Sequence, residues 1–261
     1  MDLLLLVGMG AVAGILAGLL GIGGGIIIVP VLALVFQHQG VATGVLMHVS
    51  IGTSLATIVV TSLSSIHAHH RRGAVEWPVF RAITPGVVVG SLAGAATAKF
   101  LPGETLRIAF GVFMLLVAAQ MAFARPPAPH RVLPGGVGLL GAGGGIGAVS
   151  AMMGVGGGSM TVPFLTWCNV SVRNAVATSA AVGLPIALAG SAGFIVTGWG
   201  VADRPAWSLG YVNGPAFLGI VVASTLFAPL GAKLAHSIPE RALKRGFALF
   251  LTVLGLRLLL S

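Results

Sequence analysis

Residues 20–30 read Leu-Gly-Ile-Gly-Gly-Gly-Ile-Ile-Ile-Val-Pro, and residues 153–163 read Met-Gly-Val-Gly-Gly-Gly-Ser-Met-Thr-Val-Pro, an offset of 133. Each copy interrupts an apolar run with three consecutive glycines. A glycine inside a helix costs about 1 kcal/mol relative to alanine, so three in a row stop one. In hydrocarbon, broken backbone is tolerated only where protein or a water-filled cavity satisfies its polar groups. The apolar run resumes at Ile26 and at Ser159, so each cluster should precede a new helix N-terminus. The free N–H groups and positive dipole end found there attract anions. Interrupted apolar segments at matching positions of two halves point to a transport site.

Two further matches keep the same order. Gly52-Thr53-Ser54 corresponds to Ala177-Thr178-Ser179 at an offset of 125. Leu101-Pro102 with Leu106, Arg107 and Phe110 corresponds to Ile238-Pro239 with Leu243, Lys244 and Phe247 at 137. The chain therefore reads as a duplication within one transmembrane domain: a first half over 1–123, a linker over 124–132 and a second half over 133–261.

The solvent for this duplication is lipid. Of 261 residues, 56% are hydrophobic and 7% are charged, and the mean hydropathy is +1.04. A soluble domain carries about 25% charged residues. From Leu3 to His70 there are 68 residues without Asp, Glu, Lys or Arg. That excludes a soluble enzyme, a disordered chain and a nucleic-acid-binding domain. The net charge of +9 reads instead as the Lys/Arg excess of cytoplasmic loops in an inner-membrane protein. Cys168 is the single cysteine, so no intramolecular disulfide can form. Acidic Asp2 stands where a cleavable signal would have a basic region, so 3–20 reads as a retained helix.

Crossing the hydrocarbon takes about 20 apolar residues. Segments 3–20, 44–66, 82–100, 107–123, 133–152, 174–197, 209–232 and 245–260 qualify. Segments 26–36 and 159–168, each after a glycine cluster, are too short to span alone. The expected fold is an all-α integral membrane protein with eight full helices and two short glycine-broken segments that either cross or re-enter.

Loop charges orient the halves. If each short segment pairs with the helix before it to make no net crossing, the second half is inverted. With loop 67–81 in the cytoplasm, ten basic residues then lie inside (Arg71, Arg72, Arg81, Arg125, Arg131, Arg173, Lys233, Arg241, Lys244, Arg245) and four outside (Lys99, Arg107, Arg204, Arg257). A parallel repeat divides them seven to seven. The positive-inside rule selects the inverted repeat.

The candidate site follows from the breaks. Gly24, Gly25, Gly157 and Gly158 would present backbone N–H groups, and Thr53, Ser54, Ser159, Thr178 and Ser179 would add donors from hydroxyls and amides. Hydroxyls in apolar helices also bond to their own carbonyls or hold neighbouring helices, which is the plainer alternative. All five acids, Asp2, Glu76, Glu104, Asp203 and Glu240, fall at expected helix ends or in loops. A cation transporter or proton relay usually needs a deep carboxylate, so an acid-free core suits an anion. His48 opens its helix as a further candidate anion- or proton-contacting residue, with an interfacial histidine the plainer alternative. His67, His69 and His70 run into Arg71-Arg72 and read as a basic loop, not a metal site. No cofactor is expected, and no P-loop pattern is present to couple ATP.

Together these residues resemble the sulfite exporter TauE/SafE family. The resemblance rests on Gly21-Ile22-Gly23-Gly24-Gly25 leading to Val29-Pro30, the second copy from Gly154 to Pro163, and the Thr-Ser pairs. His70-Arg71-Arg72-Gly73-Ala74-Val75-Glu76-Trp77 and Pro85-Gly86 with Gly90 and Gly94 complete it. It implies an inner-membrane permease for a small sulfur-containing anion such as sulfite, a sulfonate like sulfoacetate, or thiosulfate. Ala177, where the first copy has Gly52, departs from the repeat, so the two half-sites need not contribute equally. The expected function is a secondary transporter working by alternating access. A passive anion channel and a permease for a small carboxylate are the alternatives. The oligomeric state stays open.

Overall fold

The computed structural model describes residues 25–123, 132–237 and 240–260, with side chains outside 228–241, 243 and 244. The expected helix 3–20, Gly24 and residues 124–131 of the linker lie outside the described residues. Among these residues the elements are α1 (Gly25–His38), α2 (Thr43–His70), α3 (Trp77–Phe100), α4 (Gly103–Phe123), α5 (Gly136–Met152), α6 (Gly158–Trp167) and α7 (Val172–Thr197). The strands β1 (Ser208–Leu209) and β2 (Val212–Asn213) follow, then α8 (Gly214–Ser237) and α9 (Glu240–Leu260).

Helices α2, α3, α4 and α7 are long and apolar enough to cross a bilayer, and α1, α5 and the 214–227 part of α8 are shorter apolar helices. At about 1.5 Å per residue, α1 and α6 reach only about 21 and 15 Å, short of a hydrocarbon core of about 30 Å. Proline sits one turn into each of them, Pro30 in α1 and Pro163 in α6.

One expected element is corrected. The apolar run 209–232 is not helical from its start. Leu209 pairs with Val212 in an antiparallel hairpin, and the helix begins at Gly214. Gly210 turns the chain at φ 56°, and Asn213 Oδ1 accepts from the Ala216 N–H at 3.0 Å, capping α8. Hydropathy registers an apolar strand and an apolar first turn alike. The expected start at 133 likewise moves to Gly136, because Pro134 and Gly135 stand before the helix.

Packing explains several glycines. Gly86, Gly90 and Gly94 stand four residues apart on α3 and face the carbonyls of Leu140, Gly144 and Ala148 on α5. A β-carbon at any of the three would overlap those oxygens, so this small-residue seam lets the two backbones approach closely. The buried core runs through Ile27, Leu32 and Phe36 of α1, Ile51, Leu55 and Ile58 of α2, and Phe194 of α7. Val89, Leu116, Leu226 and Leu249 are exposed, which suits a surface solvated by lipid chains.

The corresponding helices of the two halves meet and run antiparallel. Gly52 near the start of α2 lies against Phe194 near the end of α7. At the other end, Arg173 Nη2 of α7 donates to the Arg72 carbonyl just past α2, at 3.3 Å. Likewise Gly111 near the start of α4 touches Gly255 and Leu259 near the end of α9.

Candidate functional site

The second glycine cluster is a helix stop followed by a helix start. Gly154 ends α5 in the left-handed conformation at φ 65°. Its N–H donates to the Ala151 carbonyl at 3.1 Å, and the Val155 N–H donates to Ser150 at 2.9 Å. That pair of bonds is a Schellman cap, which satisfies the last carbonyls of α5. Helix α6 begins four residues after Gly154, at Gly158. Its N-cap Gly157 offers no side chain to the first turn. Among the described residues nothing accepts from the N–H groups of Gly156, Gly157, Gly158 or Ser159.

The first cluster reaches the second. A β-carbon on Gly25 would lie 2.7 Å from the Gly154 carbonyl oxygen and 2.9 Å from the Val155 α-carbon. Ser54 of α2 donates to the same Gly154 carbonyl at 2.8 Å. On the opposite side, a β-carbon on Gly157 would sit 3.1 Å from both the Ser179 carbonyl and Thr161 Oγ1. Gly25 of α1, the second break, α2 and α7 thus converge on one point. Ser150, Ser159 and Thr161 each place a buried hydroxyl oxygen there or on the adjoining turns without a partner among the described residues. Buried polar atoms are nearly always paired, so such a cluster beside unused N–H groups requires a reason.

The expected hydroxyls divide by role. Ser54 bonds across to the glycine break, whereas Ser179 donates to the Val176 carbonyl of its own helix at 2.8 Å. Thr53 Oγ1 accepts from the Asn213 N–H at 2.9 Å, and Thr178 Oγ1 accepts from the Glu76 N–H at 2.9 Å. Both threonines therefore hold the residue that precedes a helix of the other half. Asn213 and Glu76 correspond at the same offset of 137, so the two bonds are reciprocal. Gly73 and Gly210 correspond too, at φ 62° and 56°. The next residues also match: the Ala74 N–H donates to the His69 carbonyl at 3.3 Å and the Tyr211 N–H to Phe194 at 3.2 Å. Each connection is thus a short buried plug, Ala74-Val75-Glu76 against α7 and Tyr211-Val212-Asn213 against α2.

His48 belongs to the second plug, away from the breaks. Its ring stacks on Tyr211 at 4.9 Å. Nε2 pairs with the Ala98 carbonyl at 3.0 Å, and Nδ1 is buried without a partner among the described residues.

Of the expected site residues, the structure gathers Gly25, Ser54, Gly157, Gly158, Ser159 and Ser179 around the breaks. Thr53, Thr178 and His48 stand at the plugs, and Gly24 lies outside the described residues. Sequence reasoning missed Thr161, one turn into α6 where the first copy has Ile28, and the plug residues Asn213, Asn174 and Glu76. Asn174 Nδ2 donates to Glu76 Oε1 at 2.6 Å. Carrying the 137 offset into the loops would have paired Glu76 with Asn213. The described carboxylate side chains, Glu76, Glu104 and Asp203, all lie before or at helix starts or in a loop.

Residues 6–258 match the family model described as sulfite exporter TauE/SafE. A probable membrane transporter protein of Haemophilus influenzae is 36% identical over 97% of this chain and 96% of its own length. One from Methanocaldococcus jannaschii is 29% identical over 98% and 95%, and one from Bacillus subtilis 26% identical over 94% and 96%. No solved structure matches the chain.

Proposed function

This chain belongs to the sulfite exporter TauE/SafE family, whose members found here are named membrane transporters, and from that premise we propose that it moves a small sulfur-containing anion by alternating access. It is a multi-pass membrane transporter. The inner membrane is the location we assign it, from the distribution of its basic residues. The observation that carries the reading is the convergence of Gly25, at the start of α1, on the second glycine break. Gly25 abuts Gly154, and the start of α6 brings N–H groups together with the hydroxyls of Ser159 and Thr161, none with a partner among the described residues. Such donors hold a sulfite, sulfonate or thiosulfate group without a fixed cation.

Eight crossings in an inverted repeat remain part of this proposal. The antiparallel pairing of α2 with α7 and of α4 with α9 supports it, because helices exchanged by a twofold axis in the membrane plane run antiparallel. The two plugs close the α2–α7 pair at opposite ends, which favours a carrier over an open channel.

The test uses variants that remove donors without adding bulk. Ser159→Ala with Thr161→Val should raise the half-saturating sulfite or sulfoacetate concentration in proteoliposomes about tenfold, the equivalent of about 1.4 kcal/mol. Gly157→Leu should abolish transport while the protein still inserts. Wild-type transport in both variants rejects the site. A reporter fused after Ser261 should read outside the cytoplasm, and a cytoplasmic signal rejects the inverted topology.

A further inference from the structure

A cavity lies at the other end of α1 from the glycine break. Its volume is about 340 Å³. Four elements enclose it: the outer half of α1 with its connection to α2, and the starts of α2 and α4 with the end of α9. Two chemistries share its walls. Pro30, Ala33, Leu34, Leu46, Met47 and Leu258 make an apolar floor. The polar rim carries Gln37, Glu104, Arg107 and Arg257. Glu104 accepts from Arg107 at 2.6 Å, so those two charges offset one another. Arg257 makes no ion pair among the described residues, and it gives the rim its net positive charge. The N-cap of α2, Ala42, offers no side chain to the first turn, so the positive end of that helix dipole adds to the same field.

We propose that this cavity is a second binding site, which takes an anion bearing a hydrocarbon body, with Arg257 on the anionic group and the apolar floor under the chain. Bare sulfite cannot use that floor, whereas an alkylsulfonate can use both parts. Apolar contact is worth about 25 cal/mol per Å² removed from water, so a short alkyl chain adds usable affinity. The floor ends at Pro30, five residues from Gly25, or about 7–8 Å along the helix. An anion seated here therefore lies on a route toward the breaks. That last step rests on the transport reading above, but the binding itself does not. Anionic lipid headgroups share the same chemistry, and the test separates them from free organosulfonates.

The experiment measures calorimetric binding of hexanesulfonate and of sulfite to the full-length protein in zwitterionic nanodiscs. Hexanesulfonate should saturate and bind about tenfold or more tightly than sulfite. Arg257→Gln should weaken it about tenfold, whereas Arg257→Lys, which keeps the charge, should stay within about threefold. Arg257→Gln should leave sulfite binding within about twofold, so failure of the transport site is read separately. Replacing a fraction of the lipid with phosphatidylglycerol should compete if headgroups enter the same cavity, and leave binding unchanged if only the free anion does. Either result supports the site. Absence of saturable hexanesulfonate binding, or equal binding by wild type and Arg257→Gln, overturns it.

Discussion

The connection before α3 and the connection before α8 share a backbone design. Each turns on a left-handed glycine, Gly73 or Gly210. Each returns an N–H to the preceding helix of its own half, and each hands the next-but-one N–H to a threonine of the other half. Their side chains differ. Tyr211 stacks on His48, where the first connection has only Ala74. Asn213 is buried and satisfied three ways beyond its own N–H: it caps α8 and donates to the Ala206 carbonyl and Ser208 Oγ. Its counterpart Glu76 is half-buried and meets Asn174 instead. The two connections share the backbone bonds that place a plug and differ in side-chain chemistry. One end is aromatic, with Arg204 donating to the Gly210 carbonyl beside the ring. The other is small and carries a carboxylate, in surroundings that include Arg71, Arg72 and Arg173.

The largest expected difference between the ends comes from the aromatic ring. Tyr211→Ala should lower unfolding stability by about 3–5 kcal/mol, the usual cost of deleting a buried aromatic side chain. Ala74→Gly should cost about 1 kcal/mol or less, since one methyl group is removed. Tryptophan fluorescence during thermal unfolding in detergent reads both. Similar losses at the two positions would mean that the plugs are energetically alike despite their side chains.

Next in size is the amide. Asn213→Ala leaves the buried Ala216 N–H unsatisfied, at about 1–3 kcal/mol, and removes two part-buried bonds besides. Glu76→Gln keeps an acceptor for Asn174 and loses only the charge assistance of that bond, about 1 kcal/mol. An Asn213→Ala loss no greater than that of Glu76→Gln would contradict the assignment of a fully satisfied network to the second plug.

These differences mark where the sequence stops being legible. Hydropathy and length locate helices well, because burial in lipid is a local requirement on about 20 residues at a time. The second glycine cluster reads as a stop, with Gly154 left-handed after α5, but Gly143-Gly144-Gly145 stay helical inside α5, so a triplet alone does not end a helix. The starts of α2 and α7 fall within one turn of expectation, and α3 starts five residues earlier than expected. The plugs do not read this way. Thr53 and Asn213 are 160 residues apart, and Thr178 and Glu76 are 102. Nothing in the local pattern of Leu209 to Val212 separates a hairpin strand from a helix. The Thr-Ser pairs were visible as repeats, but repetition alone does not say whether a hydroxyl meets a ligand or a backbone. In the structure, Thr53 and Thr178 are occupied by helix starts. Thr161, with no polar counterpart at Ile28, carries one of the buried hydroxyls that lack a partner among the described residues.

The smallest expected effects test the part of the design that both ends share. Thr53→Val and Thr178→Val each remove one hydroxyl bond between helical elements in lipid, worth about 0.6 kcal/mol on average. The losses should therefore be nearly equal, unlike those at Tyr211 and Ala74. They should also be local. Thr53→Val should speed hydrogen exchange around 210–216 and leave 73–80 unchanged, and Thr178→Val should do the reverse. If the plugs close opposite faces of an alternating carrier, weakening one favours the state in which that face is open. A bias of about 0.6 kcal/mol shifts such an equilibrium by about threefold. The two single variants should shift it in opposite directions, and the double variant should return it close to wild type while its stability losses add. Exchange that rises at both plugs in each single variant would show that the ends open together, and alternating access would then have to be abandoned for this chain.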